Sequence, residues 1–325
     1  MSSEGWGDAW AAIREGDEPF EFELEYVLQR PPVPLGVAPL DRALGGGVHP
    51  GTFTIIGGDP GSGKTALACR SAYTQAVQGF FPVFYSFEMT KMQLVSRLLS
   101  VHTRANKDRL ASVRWSKLRE SVMLPDDELR RLADANDRAR VETVMRYVSR
   151  HADDDPVLAA WADFKRDVYP HMAIRDDVTD VSQVVEEIGS LCELGMHPSV
   201  IVDYLQLAAA GDGDEYQLVT NASHDLQRLA KRWEIPVTLL SSLRNLTKAE
   251  RDDSPQLSQF RGSGHLGYDA GAAIVLRRGE GVIADREVGI FQEVTAHIIK
   301  NRFGEPGKVP LYFNGAYNMF AERNE

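Results

Sequence analysis

The eight residues "GDPGSGKT" (58–65) decide the fold. They have the spacing Gly-x-x-x-x-Gly-Lys-Thr of a phosphate-binding P-loop, between a β-branched run at 51–58 and a helical pattern at 65–79. Glycines let the backbone N–H groups curl around phosphate oxygens, and the start of the next helix adds partial positive charge. The alternative, a Gly-rich turn that matches by chance, is disfavoured by this context. The predicted nucleotide-binding residues are Gly58, Asp59, Pro60, Gly61, Ser62, Gly63, Lys64, Thr65 and Ala66.

Two carboxylates at strand ends are the candidate partners of this loop. We expect Lys64 to reach the β- and γ-phosphates of ATP and Thr65 to hold Mg²⁺. Asp203 lies in the buried run "VIVDYLQL" (200–207), where a strand-end carboxylate faces the ligand crevice, so it is predicted in the outer shell of the metal. Glu88 ends another strand-like run and is the candidate base for the attacking water. From spacing alone, a turn-capping Asp and a solvated Glu are the alternatives.

The order of strand-like and helical patterns predicts an α/β fold. A helix is expected at 225–233, and further strands at 81–89, 200–207, 235–243, 270–278, 294–300 and 309–315. Strands that alternate with helices pair in parallel, whereas the short turns between the last strands favour an antiparallel edge. The polar, helix-rich stretch 101–170 has little strand signal and is predicted to be a helical insertion. We therefore divide the chain into an acidic arm at 1–36 and one domain at 37–325.

Composition and charge limit the classes of function. The 325 residues carry a formal net charge of −11, so any contact with nucleic acid is expected to be local. No run of about 18 apolar residues predicts a membrane span. The acidic N-terminus does not have the order of a secretion signal, which favours a cytoplasmic protein. Cys69 and Cys192 lie in apolar helical patterns, which favours buried free thiols over a disulfide.

Six segments, in order, resemble the RecA-like motor domain of the DnaB-type replicative helicases. Together they run from about Gly36 to about Phe320, outside the helical insertion. Six ordered segments are a more specific match than a P-loop alone. They are "GVAPLDRALGGGVHPGTFTIIGGDPGSGKTALA" (36–68), "VFYSFEMTKMQLVSRLLS" (83–100), "VIVDYLQL" (200–207), "LAKRWEIPVTLLSSLRN" (229–245), "LSQFRGSGHLGYDAGAAIVLRR" (257–278) and "IIKNRFGEPGKVPLYFNGAYNMF" (298–320).

The resemblance implies roles for five residues. It makes Glu88 the catalytic glutamate, Asp203 the Walker B aspartate and Gln206 a residue that senses the γ-phosphate. Lys300 and Arg302, in "HIIKNRFGEPG" (297–307), match a Lys-x-Arg pair that reaches the nucleotide of the neighbouring subunit. The family relation therefore implies a homo-oligomer, a ring-shaped hexamer. Two solvated charges at a strand end are the alternative.

The sequence also departs from the family pattern. The N-terminal domain that engages primase in the family is not matched here, so a stand-alone form is expected, with the arm packing on the next subunit. The Ser-Gln pair of the family is replaced by Ser241-Ser242 in this sequence. A serine hydroxyl reaches less far than a glutamine amide, which weakens the expectation that this pair couples the γ-phosphate to the DNA-binding loops. The loop at 208–216 is acidic. The candidate contacts to single-stranded DNA lie in the mixed-charge stretch 244–263, where a solvated loop is the alternative: Arg244, Lys248, Arg251 and Arg261.

Three functions remain open from the sequence. The favoured one is an MgATP-hydrolysing ring motor that translocates on single-stranded DNA, a DnaB-like helicase. The first alternative is a non-motor RecA-like ATPase that acts as a loader, recombination mediator or assembly switch. The second is a nucleotide-binding scaffold with little turnover, against which Glu88 and the Lys300–Arg302 pair argue.

Overall fold

The computed structural model describes residues 30–107, 110, 112–114, 146–148, 150–209, 214–244, 253–261, 266–286 and 289–322. Its strands are β1 Phe53–Gly58, β2 Pro82–Ser86, β3 Ala173–Arg175, β4 Ser199–Asp203, β5 Val237–Ser242, β6 Ala272–Asp285, β7 Gly289–Asn301, β8 Gly307–Asn314 and β9 Met319–Glu322. Its helices are α1 Ala38–Ala43, α2 Lys64–Val77, α3 Lys91–Ala105, α4 Pro156–Asp167, α5 Val181–Glu193, α6 Leu205–Ala208, α7 Glu215–Trp233 and α8 Leu266–Asp269.

The nine strands form one sheet in the order β3-β2-β4-β5-β1-β6-β7-β8-β9. The first six strands in this order are parallel, and β7, β8 and β9 continue the sheet antiparallel. Helical crossovers return the chain to the same end of the sheet, whereas the last strands are joined by short turns. The predicted parallel sheet with an antiparallel C-terminal edge is therefore confirmed.

The sheet separates two hydrophobic cores. Ile56 packs in the core on the side of α2 and α3, and its neighbour Ile55 packs in the core on the side of α5 and α7. The same alternation holds along β4, where Ile201 faces the first core and Val200 and Val202 face the second. A strand that is buried on both faces reads as a continuous apolar run. This is why β1 and β4 have no polar alternation in the sequence.

Several predicted boundaries were wrong. The strand predicted at 200–207 ends at Asp203, and the apolar residues after it belong to α6. The strand predicted at 81–89 ends at Ser86, so Glu88 lies in the turn that follows. The helix predicted at 225–233 begins ten residues earlier, at Glu215. Short apolar segments do not reveal from periodicity alone whether they are strand or helix.

The ends of the predicted insertion at 101–170 belong to the main core. The helix α3 runs through Val101, and Phe164 of α4 is fully buried in the same core. Most of the stretch between them, 115–145, lies outside the described residues. Of the predicted arm at 1–36, residues 1–29 also lie outside them. Val33 and Leu35, by contrast, are buried in the domain, and Val33 forms an isolated antiparallel bridge with Val48.

Cys69 and Cys192 are both free and buried, as expected. Burial raises the pKa of the Cys69 thiol to about 12 and also raises that of Cys192, so both thiols are protonated at neutral pH. In the part of the chain that the structure describes, no helix combines the length and the apolar character needed to cross a bilayer.

Candidate nucleotide site

The P-loop lies at the carboxyl ends of the parallel strands, beside a cavity of about 490 Å³. The loop connects β1 to the first turn of α2, and Gly61 and Gly63 take positive φ values of +74° and +98°. A side chain at Gly63 would lie 2.9 Å from the ring of Phe320, so only glycine fits there. The part of the cavity wall formed by the loop and the start of α2 consists of Pro60, Gly61, Gly63, Lys64, Thr65 and Ala66. The predicted phosphate cradle is therefore open to a ligand.

The cavity is lined by a lysine, Lys64, and by two carboxylates, Asp203 and Glu88. Lys64 Nζ donates to the carbonyl oxygens of Gly58 at 2.7 Å and Asp59 at 3.2 Å, which holds the cation inside the loop. Burial lowers the pKa of Lys64, and the charges of Asp203, Asp59 and Glu88 act against that shift. The side chain of Thr65 lies close enough to the carboxylate of Asp203 to lower its pKa. The strand β4 thus brings Asp203 to the first turn of α2, as predicted from its strand-end position.

Asp203 is a buried carboxylate whose Oδ2 has no hydrogen-bond partner. Burial raises its pKa to about 6; Glu88 adds to the shift, whereas Thr65, Lys64 and Arg97 oppose it. Because the folded pKa lies above the ordinary value of 3.8, ionised Asp203 costs stability. That cost is absent below about pH 3.8 and grows as the pH rises to about 6. Such a group is suited to a cationic ligand.

We therefore expect Asp203→Asn to raise the free energy of unfolding by about 1–3 kcal/mol at pH 7.5 without nucleotide or metal. The gain should shrink towards pH 4, where wild-type Asp203 is protonated in the folded chain. Urea unfolding at both pH values measures this, with Asp225→Asn as control: Asp225 forms a surface ion pair with Arg228 at 2.8 Å, and its loss is expected to stay within about 0.5 kcal/mol of wild type. A less stable Asp203→Asn at pH 7.5 would contradict the assigned burial cost.

Glu88 reaches the same cavity from the turn after β2. Ser86 pairs in register with Asp203, and the backbone N–H of Phe87 donates to the carbonyl oxygen of Asp203 at 2.7 Å. The hydroxyl of Ser86 closes the turn, donating to the Met89 carbonyl at 2.7 Å and accepting from its N–H at 3.0 Å. Glu88 is exposed at the cavity wall, a position from which a carboxylate can accept a proton from water.

Sequence reasoning missed four groups that line this cavity: Arg97, Tyr204, Phe313 and Gly315. Arg97 donates to Asn318 Oδ1 at 2.8 Å and lies on α3 between buried Val95 and Leu98. Amphipathic helices commonly carry a cation between apolar residues, so the sequence did not indicate that Arg97 faces the cavity. Phe313 stacks on Phe320 with ring centroids 4.7 Å apart, and together they form an apolar wall over Gly63.

Gln206 lies beside the cavity but is not among its lining residues. Its Oε1 accepts from the backbone N–H of Ser242 at 3.1 Å, and its Nε2 donates to Ser241 Oγ at 2.8 Å and to the Arg261 carbonyl at 2.7 Å. The amide therefore joins the end of β5 to the segment that carries Arg261. Ser242 does line the cavity, and its buried hydroxyl has no partner. A phosphate-sensing role for Gln206 stays a prediction.

Lys300 and Arg302 lie at the opposite end of the sheet from the P-loop. Lys300 pairs with Ala273, near the start of β6, whereas Gly58 pairs with Leu276 farther along that strand. Lys300 Nζ donates to the Gly267 carbonyl at 3.2 Å and to that of Tyr268, and Arg302 donates to the Tyr268 carbonyl at 3.4 Å. Burial and the charge of Arg302 lower the pKa of Lys300. The two cations thus form one group that lies apart from the cavity of their own chain.

The four candidate DNA contacts divide into two described and two undescribed residues. Arg244 and Arg261 are exposed at the end of β5, whose last residue, Ser242, pairs in register with Gly58. Their backbones are tied together: Arg244 N–H donates to Gln259 at 2.9 Å and Arg261 N–H to Ser242 at 3.0 Å. Lys248 and Arg251 lie outside the described residues.

The residues of the cavity fit MgATP. Magnesium is usually held by one or two carboxylates together with phosphate oxygens, not by a cage of protein ligands. Among the described residues no group of three His, Cys, Asp or Glu could hold a metal by itself. Thr65 and the unpartnered Oδ2 of Asp203 would provide the protein share of such a site, and the glycine cradle and Lys64 would provide the phosphate contacts.

A sequence profile of the family described as the DnaB-like helicase C terminal domain matches residues 32–322 of the chain. The replicative DNA helicase DnaB of Leifsonia xyli subsp. xyli is 29% identical over 293 residues, which are 89% of this chain and 56% of that protein. The replicative DNA helicase DnaB of Geobacillus stearothermophilus is 28% identical over 296 residues, with the same two shares. The chain thus spans little more than half the length of these relatives.

Solved structures support the same fold. A solved ATPase domain is similar with a TM-score of 0.67 and 22% identity, covering 99% of this chain and 98% of that one. A DnaB-like replicative helicase, described together with its interactions with primase, is similar with a TM-score of 0.67 and 22% identity. That likeness covers 100% of this chain and 67% of the other. The expected fold, a mostly parallel RecA-like sheet flanked by helices, is confirmed.

Proposed function

The chain belongs to the DnaB-like helicase C-terminal domain family, and on that premise we propose that it is an ATP-hydrolysing motor that moves along single-stranded DNA as a ring. The observation that carries the proposal is the separation of Lys300 and Arg302 from the cavity of their own chain. A transition state for phosphoryl transfer gains much of its stabilisation from such a cation. Hydrolysis therefore requires a neighbour, and a head-to-tail contact that closes gives a ring, here of six subunits.

Within one site the residues have separate tasks. Lys64 and the N–H groups of the P-loop bind the β- and γ-phosphates. The Phe313–Phe320 wall provides an apolar surface for the adenine ring of ATP. Magnesium, when bound, neutralises charge on the phosphate oxygens; Thr65 and Asp203 would hold it. Glu88 orients a water and accepts its proton as the oxygen attacks the γ-phosphorus. The bond to the β,γ-bridging oxygen then breaks, and ADP leaves with that oxygen.

We propose that DNA contacts the protein at the carboxyl ends of the parallel strands, beside the cavity. Arg244 and Arg261 project there, and Gln206 joins their segment to Ser242 at the cavity wall. A change at the terminal phosphate can therefore act on this segment through a short chain of hydrogen bonds. The net charge of −11 keeps the interaction local to such cations. Because ATP and DNA are the substrates, we place the protein in the cytoplasm.

The test is the steady-state ATPase rate with and without single-stranded DNA, with Lys64→Ala as the blank. We expect DNA to raise kcat several-fold and Arg244→Ala/Arg261→Ala to remove most of the increase. The basal rate should stay within about twofold of wild type, because neither side chain lines the cavity. If the wild-type ATPase rate is the same with and without single-stranded DNA, the motor proposal is wrong. The remaining candidate would then be a non-motor ATPase that acts as an assembly switch.

A further inference from the structure

The strands β6 and β7 form a ribbon that projects beyond the rest of the sheet. β1 accompanies β6 only as far as Leu276, and β8 accompanies β7 only as far as Gln292. The ribbon continues to the Asp285–Gly289 pair. Beyond the Val282–Gln292 pair, where β8 no longer accompanies β7, the last ~10 Å of the ribbon is two-stranded. It leaves the sheet at the end that carries the P-loop, and Arg278 lies beside Gly61 of that loop.

Side chains at its base hold the ribbon in one direction. Gln292 Nε2 donates to the carbonyl oxygens of Gly279 at 2.6 Å and Gly281 at 3.2 Å, and the N–H of Gly281 donates to Glu293 Oε2 at 3.1 Å. Phe291 is buried and packs on Tyr317, in the turn after β8. A two-stranded ribbon alone is only marginally stable in water, so these contacts are what orient its tip.

Near its end, next to the exposed Asp285 and Arg286, the ribbon carries exposed apolar side chains. Val282 is 61% exposed, Ile290 is 68% exposed and Ile283 is 41% exposed. Cross-strand pairs share a face, and Val282–Gln292 and Ala284–Ile290 are two such pairs on the same face. The outer face of the tip therefore carries Val282, Ala284 and Ile290. Contiguous exposed apolar side chains of this kind are typical of a contact surface.

We propose that this face, the ribbon tip, packs against a second copy of the chain, the neighbour whose Lys300 and Arg302 enter the cavity. The proposal rests on the proposed function, because that function places a neighbour against the P-loop end of the sheet. The ribbon projects from this end towards the neighbour. The face that the neighbour presents also has an exposed apolar group, since Tyr268, whose carbonyl holds Lys300 and Arg302, is 64% exposed. The ribbon tip thus extends the contact beyond the catalytic cations.

The test is Val282→Ser/Ile290→Ser, measured by analytical ultracentrifugation with a non-hydrolysable ATP analogue. Two exposed apolar groups lost from an interface should raise the concentration at half-assembly at least about tenfold. The affinity of the unassembled chain for the analogue, measured at low protein concentration, should stay at the wild-type value. Leu194→Ser is the matched control: Leu194 is 80% exposed after the end of α5, and its loss should not shift assembly.

Each outcome bears on one proposal or the other. If the double variant assembles at the wild-type concentration, the ribbon tip has another role and the proposal is overturned. If wild type itself stays monomeric with the analogue, both the ring and the ribbon contact are wrong. If wild type assembles and Arg302→Ala hydrolyses ATP normally, the shared active site is wrong while the ribbon contact survives. Should the double variant fail to bind the analogue, Ile290→Gln alone is expected to weaken assembly several-fold.

Discussion

Replacing Arg302 with alanine is expected to lower kcat for ATP hydrolysis by about 10³- to 10⁵-fold, because the lost cation acts on charge that spreads over the transferring phosphoryl oxygens. The affinity of the isolated chain for ATP should not change, since Arg302 is remote from the cavity of its own chain. Single-turnover hydrolysis and analogue binding, measured on the same preparation, separate these two quantities.

The variant Arg302→Lys tests whether the geometry of the guanidinium matters beyond its positive charge. Arginine presents a rigid fork of donors to phosphate oxygens, whereas lysine is a single flexible cation. The lysine variant should recover only part of the lost rate. If Arg302→Ala hydrolyses ATP at close to the wild-type rate, Lys300 and Arg302 are solvated charges at a strand end and the shared site does not exist.

Glu88→Gln is expected to lower kcat by about 10²- to 10⁴-fold with little change in ATP affinity, because the amide keeps the shape of the side chain but does not accept a proton. The turn that holds residue 88 is closed by Ser86 and Met89, so the substitution leaves the wall of the cavity intact. The variant should therefore accumulate bound ATP, which quench-flow with labelled nucleotide measures.

The nearby acid Asp59 provides the comparison for Glu88. It is not among the cavity-lining residues, and it contributes a backbone carbonyl to Lys64. Asp59→Asn should change kcat by less than about tenfold. Equal losses for Glu88→Gln and Asp59→Asn would show that general negative charge near Lys64 matters, not a base at position 88.

The phosphate loop could be predicted from the sequence because its chemistry is local. Eight consecutive residues carry the glycines, Lys64 and Thr65, and the strand and helix that position them are adjacent in the chain. Asp203 and Glu88 could be placed because the carboxyl ends of parallel strands meet at one edge of the sheet. The apolar runs of β1, β4 and β5 were enough to predict that sheet.

The rest of the site depends on tertiary packing that periodicity does not contain. Arg97 reaches the cavity because α3 packs on α2, and Phe313 and Phe320 reach Gly63 because they pack against the core on the side of α2. The end of β4 was misplaced because buried Leu205 of α6 continues the apolar run of the strand. The strand β3 is only three residues long, too short for a pattern.

The most direct test of a site shared between subunits is to mix the two inactive variants. An Arg302→Ala subunit keeps its own Glu88, and a Glu88→Gln neighbour can provide the Arg302 that it lacks. Random mixing at equal concentration should complete about one interface in four. We predict that the mixture, after subunits exchange, hydrolyses ATP at about that fraction of the wild-type rate, far above the sum of the two variants alone. A rate equal to that sum would contradict the account.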